Sequence, residues 1–370
     1  MHNGREQTTV MTTYSLLTVH HGGIMQQNNM KWHQWGMLMG AFLIGSPGIG
    51  EAQLKPTVDE HIPAYHVTAP VSGKVTVMGS NTMEPILEKW QDKLKEVQPG
   101  LVLTLHTEGS STGVEALVSG KVQIAAMSRP LNPEEIDQFA KAVGYPPTAV
   151  PVAVDALAVF VHNENPLDQV TLQQLDGVFS KERRRGALES LTRWEQLGVT
   201  GSWGQKPIHA HVRDSVSGTH QFFKELVLIG GNDHEKVIID PGAASVVAAI
   251  MKDPDAIGYS GIGYRTSKVK PLRIATKNGE PFVEPTFETA TDGSYPLRRL
   301  LYLYVNQPSQ GERSPVVSEI IKFAVSQSGQ QAVVKTGFYP LPVKDLIELS
   351  ARWSGLNQAA AMNGAAPGTN

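Results

Sequence analysis

The chain has 370 residues, 41% of them hydrophobic and 18% charged, a composition that excludes a disordered or fibrous protein. Thirty-two basic residues against 35 acidic ones leave a formal charge of −3, so no broad basic face is available for nucleic acid. There is no cysteine, which removes disulfides, thiolate metal sites, cysteine nucleophiles and cysteine-linked lipid anchors.

The longest apolar run near the start is Trp35-Gly-Met-Leu-Met-Gly-Ala-Phe-Leu-Ile-Gly45, preceded by Lys31 and followed by the small residues Gly48, Gly50 and Ala52. A positive head, an apolar stretch of ~7–15 residues and a small-x-small exit describe a secretory signal. The run falls short of the ~20 residues a spanning helix needs. Residues 1–52 are therefore expected to be a leader and signal peptide, with Met30-Lys-Trp-His reading as a second start. The alternative is a buried helix of the fold. With no cysteine to carry a lipid, export predicts a periplasmic protein that is not lipid-anchored.

Polar, proline-bearing residues 53–71 read as a linker. Strand and helix signals then alternate. Val75–Met78 is a strand, followed by Gly79-Ser80-Asn81-Thr82 and a helix with Met83, Ile86, Leu87, Trp90, Leu94 and Val97 on one face. Leu101–Leu105 is a strand leading into Glu108-Gly-Ser-Ser-Thr-Gly113 and a short helix. Val122–Ala126 leads into Met127-Ser128-Arg129-Pro130. Asn132-Pro133-Glu134-Glu135 has the cap, the first-turn proline and the third-position glutamate of a helix start.

Val150–Val161 is almost unbroken apolar sequence, longer than a typical strand of ~5–6 residues, and predicts a strand passing from one lobe into another. A helix from Thr171, a polar arm over 180–191 with Arg183, Arg184 and Arg185, and a strand at Ile208–Val212 follow. Next come a helix opened by Ser217-Gly218-Thr219, a strand and turn over Ala256–Tyr264, a strand at Leu300–Val305 and closing helices over Glu319–Ala324 and Gln330–Lys335. Repeated strand–turn–helix units mean an α/β fold with mainly parallel sheets, whose ligands lie beyond the carboxyl ends of the strands. The expected lobes are 72–154 with 262–350, and 155–261, with 351–370 as a flexible tail.

Three of these loops place small hydroxyl residues and glycine just before a helix: Ser80-Asn81-Thr82, Ser110-Ser111-Thr112 and Ser217-Gly218-Thr219. First-turn amides are unpaired and carry the positive end of the helix dipole, so converging helix starts form an oxyanion cradle. A serine at one helix start is usually only a cap. Three such loops after strands, with Arg213 four residues before Ser217, point to a site. Arg213 supplies a full charge in fork geometry suited to a tetrahedral oxyanion.

The pieces Gly79-Ser-Asn-Thr-Met-Glu-Pro85, Glu108-Gly-Ser-Ser-Thr-Gly-Val-Glu-Ala-Leu117, Ala126-Met-Ser-Arg-Pro-Leu131 and Arg213-Asp-Ser-Val-Ser-Gly-Thr-His-Gln-Phe-Phe223 resemble, in this order, the periplasmic phosphate-binding proteins of ATP-driven phosphate uptake. Ala256-Ile-Gly-Tyr259 and Phe323-Ala-Val-Ser-Gln-Ser-Gly-Gln330 are similar to that family too, so the resemblance spans about 72–348.

The resemblance implies a two-lobed type II periplasmic binding protein, each lobe a mainly parallel sheet flanked by helices, the two joined by two crossing strands and closing on phosphate. It implies a monomer that passes phosphate to the membrane subunits of an ABC transporter, with no cofactor and no catalysis. The ligand groups it implies are Ser80, Asn81 and Thr82 (largely through backbone), Ser110 or Ser111, Ser128, Arg213, Ser217, Gly218 and Thr219. One departure stands out. Well-known members of the family carry an aspartate where Ser128 stands, and that carboxylate accepts the proton of hydrogen phosphate and repels sulfate. A serine hydroxyl donates or accepts, so that barrier is absent.

Other readings are a phosphatase-like hydrolase, with His220 beside Thr219 as the nearest base, and a binder of sulfate, arsenate or molybdate. His209-Ala-His211 puts two imidazoles on one side of a strand, without a third metal ligand at suitable spacing. The arginines at 183–185 read as a solvated turn, or as a docking point for transporter subunits.

Overall fold

The structure, a computed structural model, describes residues 56–308 and 313–354. The expected leader and signal, the first residues of the expected linker and the chain after 354 lie outside the described residues. Among the described residues no helix is long and apolar enough to cross a membrane.

The first half alternates as its periodicity predicts: β1 (Gly73–Gly79), α1 (Glu84–Val97), β2 (Leu101–His106), α2 (Ser110–Val118), β3 (Ile124–Met127) and α3 (Pro133–Val143). Ile86, Leu87, Trp90 and Leu94 form the buried stripe of α1, and Trp90 Nε1 donates to the Gly329 carbonyl at 2.9 Å. Val97, in the last turn, faces solvent instead of the core. Asn132 and Glu135 exchange both bonds of a capping box at α3, Glu135 N to Asn132 Oδ1 at 2.8 Å and Asn132 N to Glu135 Oε2 at 2.9 Å.

β4 (Thr148–His162) is one strand of 15 residues, as the apolar run predicts. After it come β5 (Gln169–Thr171), α4 (Leu172–Phe179), α5 (Gly201–Gly204), β6 (His209–Arg213), α6 (Gly218–Leu226), β7 (Ile238–Asp240), α7 (Ala243–Ile250) and β8 (Ala256–Gly261). The chain ends through β9 (Val269–Pro271), β10 (Arg273–Ala275), α8 (Phe287–Asp292), β11 (Arg298–Val305), α9 (Pro315–Ala324), α10 (Gln327–Lys335) and α11 (Val343–Trp353).

The main sheet runs β2-β1-β3-β11-β4-β8-β6-β7. Each end is a parallel trio, β2-β1-β3 and β8-β6-β7. β4 joins them by changing partner along its length. β11 lies antiparallel to it from Thr148 to Ala156, and β8 lies antiparallel to it from Leu157 to Val161. Buried apolar side chains fill both faces of β4, which explains a run without polar alternation.

Four expectations need correction. The described part of the expected linker, 56–71, does not behave as a bare linker. Ile62 is buried, Gln327 N bonds the Pro63 carbonyl at 2.9 Å, and Tyr65 donates to Glu319 at 2.6 Å and packs edge-on against Phe323. The stretch is a strap held by buried aromatic and aliphatic contacts that its polar composition conceals.

The expected tail begins too early. α11 continues to Trp353, whose ring is buried and faces the Arg313 guanidinium at 4.6 Å. Residues 262–275 do not join the first trio. β9 pairs with the far half of β4, and β10 pairs with β5, so the chain returns to β11 only after Val283 bridges Ile274.

The arginine turn is not merely solvated. Arg185 donates to the carbonyls of Leu226 and Val227, and Arg184 donates to that of Ile229, so the run caps the carboxyl end of α6.

Candidate functional site

The carboxyl ends of β1, β2, β3 and β6 open onto one region. Gly109 N donates to the Gly79 carbonyl at 2.8 Å, and Ser80 N to that of Ala126 at 2.8 Å, so the first three loops are tied directly. The fourth comes from the other trio. Ser111 N donates to the Val216 carbonyl at 3.1 Å, and the Thr82 and Thr219 hydroxyls meet at 2.7 Å.

The approach is closest at Gly218. A methyl group there would stand 2.2 Å from Ser110 Oγ, 2.7 Å from Ser110 Cβ and 2.8 Å from Ser128 Oγ. Only glycine allows α6 to start against these two serines. Ser110 and Ser128 are themselves paired, Oγ to Oγ at 3.3 Å, with Ser128 N donating to Ser110 Oγ at 3.2 Å.

The predicted residues sort by what their groups already do. Ser110, Ser128, Gly218, Thr82 and Thr219 stand together and are buried. Ser80 is buried beside them, and its hydroxyl has no partner among the described residues. Asn81 has its side chain occupied, accepting from Ala243 N at 2.7 Å and donating to Glu84 at 3.0 Å, while its carbonyl accepts from the Tyr264 hydroxyl at 2.9 Å. Its side chain and carbonyl are thus both engaged within the protein.

Ser111 turns aside, with its hydroxyl accepting from Gln221 Nε2 at 2.8 Å, so Ser110 is the serine of that loop in the cluster. Ser217 is first a helix cap, accepting from His220 N at 3.3 Å. Ser110, Gly218 and Thr219 open their helices, so their amides are among the first-turn donors a helix leaves unpaired.

Arg213 ends β6 and is only 1% exposed. Among the described residues its guanidinium makes one hydrogen bond, Nη2 to the Pro241 carbonyl, long at 3.4 Å, and its Nε and Nη1 have no partner. Among the described residues it forms no ion pair. Asp214 is adjacent, with one oxygen accepting from Ser217 N at 3.0 Å. Burial draws the guanidinium below its ordinary pKa, Asp214, Tyr259 and Tyr264 push it up, and Arg299 pushes it down. An arginine stays charged through such shifts. The result is a buried cation with free donors, among hydroxyls and helix starts, in want of an anion.

Two site residues escape the motif search. Arg299, from β11, donates from Nε to Asp155 Oδ2 of β4 at 2.8 Å, and its Nη2 forms the ion pair with the same oxygen at 2.7 Å. Its Nη1 donates to the Ser128 carbonyl at 3.1 Å and to Thr219 Oγ1 at 3.0 Å. Asp155 was the available signal, the one charged residue inside the apolar run 150–161. A buried carboxylate requires a cation, and that requirement leads to Arg299.

The hydrolase reading loses its base. His220 Nδ1 faces the Tyr259 hydroxyl at 3.0 Å and Nε2 faces Asp233 at 3.3 Å, so neither ring nitrogen addresses a serine hydroxyl. Burial lowers its pKa. His209 and His211 each pair with a separate carboxylate, Asp253 at 2.6 Å and Asp240 at 2.8 Å. No group of three or more metal-ligating side chains occurs among the described residues.

Comparison with known proteins agrees with this architecture. Residues 65–328 match the model of the PBP superfamily domain. The chain is 41% identical over 307 residues to the phosphate-binding protein PstS of Pseudomonas aeruginosa, covering 83% of this chain and 95% of that one. A solved structure from Planctomyces limnophilus, described as a possible phosphate binding protein, is 26% identical with a TM-score of 0.57, over 77% of this chain and 98% of that one. An ABC-type phosphate transport receptor from Vibrio cholerae shares the fold, with a TM-score of 0.57 at 22% identity, over 72% of this chain and 100% of that one. The four serine- and arginine-bearing loops thus stand on a known scaffold, and the chain belongs to the PBP superfamily, within the PstS family.

Proposed function

We propose that the protein captures inorganic phosphate outside the cytoplasmic membrane and delivers it to the membrane subunits of an ABC transporter. The observation that carries this reading is Arg213, a buried guanidinium with two donor nitrogens unpartnered among the described residues, set among helix starts and hydroxyls. The relatives named as phosphate-binding proteins supply the ligand's identity. Export through residues 1–52, a monomeric state and the absence of catalysis belong to the same proposal.

The strand order of the sheet supports a two-lobed reading. One is built on β2-β1-β3 and the other on β8-β6-β7, with β4 and the segment entering β11 as the crossings. The first lobe brings Thr82, Ser110 and Ser128, and the second brings Arg213, Gly218 and Thr219. A complete shell then exists only when the lobes close, so the anion favours the closed state.

Calorimetry of the purified mature chain against phosphate, arsenate, sulfate, molybdate and phosphonates tests the reading. Saturable one-to-one binding of phosphate is the expected result. No heat with phosphate, and binding of another oxyanion instead, would overturn the assignment of the ligand.

The panel also addresses Ser128. Its hydroxyl contacts Ser110 and carries no charge to repel sulfate. Ser128→Asp should raise the phosphate-to-sulfate affinity ratio by at least tenfold, because a carboxylate accepts the proton of hydrogen phosphate and meets sulfate with like charge. An unchanged ratio would remove this side chain from the choice between the two anions.

A further inference from the structure

Arg299 is buried at the crossing of the two trios, and every polar group around it comes from a different element. Asp155 Oδ2, on β4, accepts a hydrogen bond from Nε and faces Nη2 as an ion pair at 2.7 Å. Asp155 Oδ1 in turn accepts from Ile262 N at 3.0 Å, just after β8, so the carboxylate is fixed on both oxygens. The Phe222 ring of α6 lies 5.6 Å from the guanidinium carbon. With Asp155 as its anchor, Arg299 directs Nη1 toward the site, one bond to the Ser128 carbonyl and one to Thr219 Oγ1.

The bond to Thr219 has a chemical consequence. A hydroxyl has one proton to give and two lone pairs to receive with. Arg299 takes one lone pair of Thr219 with a charge-assisted bond, which weakens that oxygen as an acceptor and strengthens its proton as a donor. Thr82 shares a single proton with Thr219 across 2.7 Å. Whichever threonine gives that proton, the pair keeps one more, and the nearby cation favours turning it outward to an anion.

We propose, on the reading of the site as a phosphate trap, that Arg299 is a positioning residue that acts through Thr219, setting the Thr82–Thr219 hydroxyl pair to donate to the bound oxyanion. Asp155 holds Arg299 in place for this purpose. Arg299 also spans both sides of the site, since Ser128 belongs to the first trio and Thr219 to the second.

A mutant cycle tests the proposal. The Asp155→Asn and Arg299→Gln changes are made together, so that no unpaired charge is left buried, in chains carrying Thr219, Thr219→Ser or Thr219→Val. Thermal melts confirm folding, and calorimetry reads phosphate affinity. With Thr219 or Thr219→Ser, which keep the hydroxyl, the paired change should weaken phosphate binding roughly 10- to 100-fold. With Thr219→Val it should cost less than about threefold more, since the hydroxyl through which Arg299 acts is already gone.

Equal weakening in all three chains would overturn the proposal and make Arg299 a packing residue. If the paired variant does not melt cooperatively, the same cycle is run with Arg299→Lys. Lysine keeps a charge against Asp155, but one ammonium cannot serve Asp155, Ser128 and Thr219 in the same geometry. The pattern expected is the same and smaller, and additivity again overturns the proposal. Failure of the unmodified chain to bind phosphate would sink the functional reading instead, and the cycle would then be read with the oxyanion that does bind.

Discussion

Arg213→Met should weaken phosphate binding roughly 30- to 5,000-fold while leaving the ligand-free protein at least as stable as before. The two effects have one cause. Arg213 is 1% exposed, has two donors without partners, and forms no ion pair among the described residues. In the complex those donors meet an anion, and removing one side of a buried charged pair costs about 2–5 kcal/mol. Without the anion the cation is itself a burden on the fold, since a buried charge costs several kcal/mol that water or a partner must offset. Methionine fills similar volume without that cost.

The measurement is a pair of melts and a titration. Saturating phosphate at 1,000 times the wild-type dissociation constant should stabilise the wild-type chain by about 4 kcal/mol, and the variant by about 2 kcal/mol or less at that concentration. Arg213→Lys should fall between, keeping the charge and losing the fork. A variant that melts well below wild type without ligand would mean that Arg213 holds the fold together and that its free donors are incidental.

The parts of this molecule legible in the sequence are those in which a local rule and the tertiary structure agree. The stripe of α1, the capping box at Asn132 and Glu135, and the long apolar β4 follow from spacing alone. So do the loops, because a strand ending in Gly-Ser or Arg-x-x-x-Ser-Gly-Thr announces a turn into a helix start.

What escaped depends on partners distant in sequence. α7 is built from small and aliphatic residues without a charged face, so its period gives no boundary. The strap around Tyr65 looks like a linker until Glu319 and Phe323 are beside it. Ser110 and Ser111 are indistinguishable by motif. Only Gln221, 110 residues further along, takes Ser111 out of the cluster. Arg299 is one of two adjacent arginines, and nothing short of the buried Asp155 selects it over Arg298, which donates to the Ala290 carbonyl at 2.8 Å.

The structure makes its severest demand at Gly218. Gly218→Ala should abolish tight phosphate binding without harming the fold, and it tests whether the loops of the two trios meet in solution. Gly218 lies at the first position of α6, where the backbone suits any L-residue and alanine is favoured over glycine by at most the ~1 kcal/mol of a helix interior. Judged by α6 alone, the substitution should stabilise.

Across the site it cannot be accommodated. The new methyl would stand 2.2 Å from Ser110 Oγ and 2.7 Å from Ser110 Cβ, and the second of these cannot be relieved by turning the hydroxyl. The lobe carrying α6 must then stay back from α2. The Thr82–Thr219 contact and the Arg299 bond to Thr219 lengthen with it, and the anion is met by half a shell. The expected signature is therefore a melting temperature equal to or above wild type, no measurable phosphate heat, and a radius by solution scattering that does not contract with phosphate as the wild type's does. Adding Ser110→Gly removes both nearest atoms and should restore the contraction, even though the lost hydroxyl keeps affinity low. Wild-type affinity in Gly218→Ala would mean that these corners do not come together when phosphate binds, and the account of Arg213, Thr219 and Ser128 as one site would fall with it.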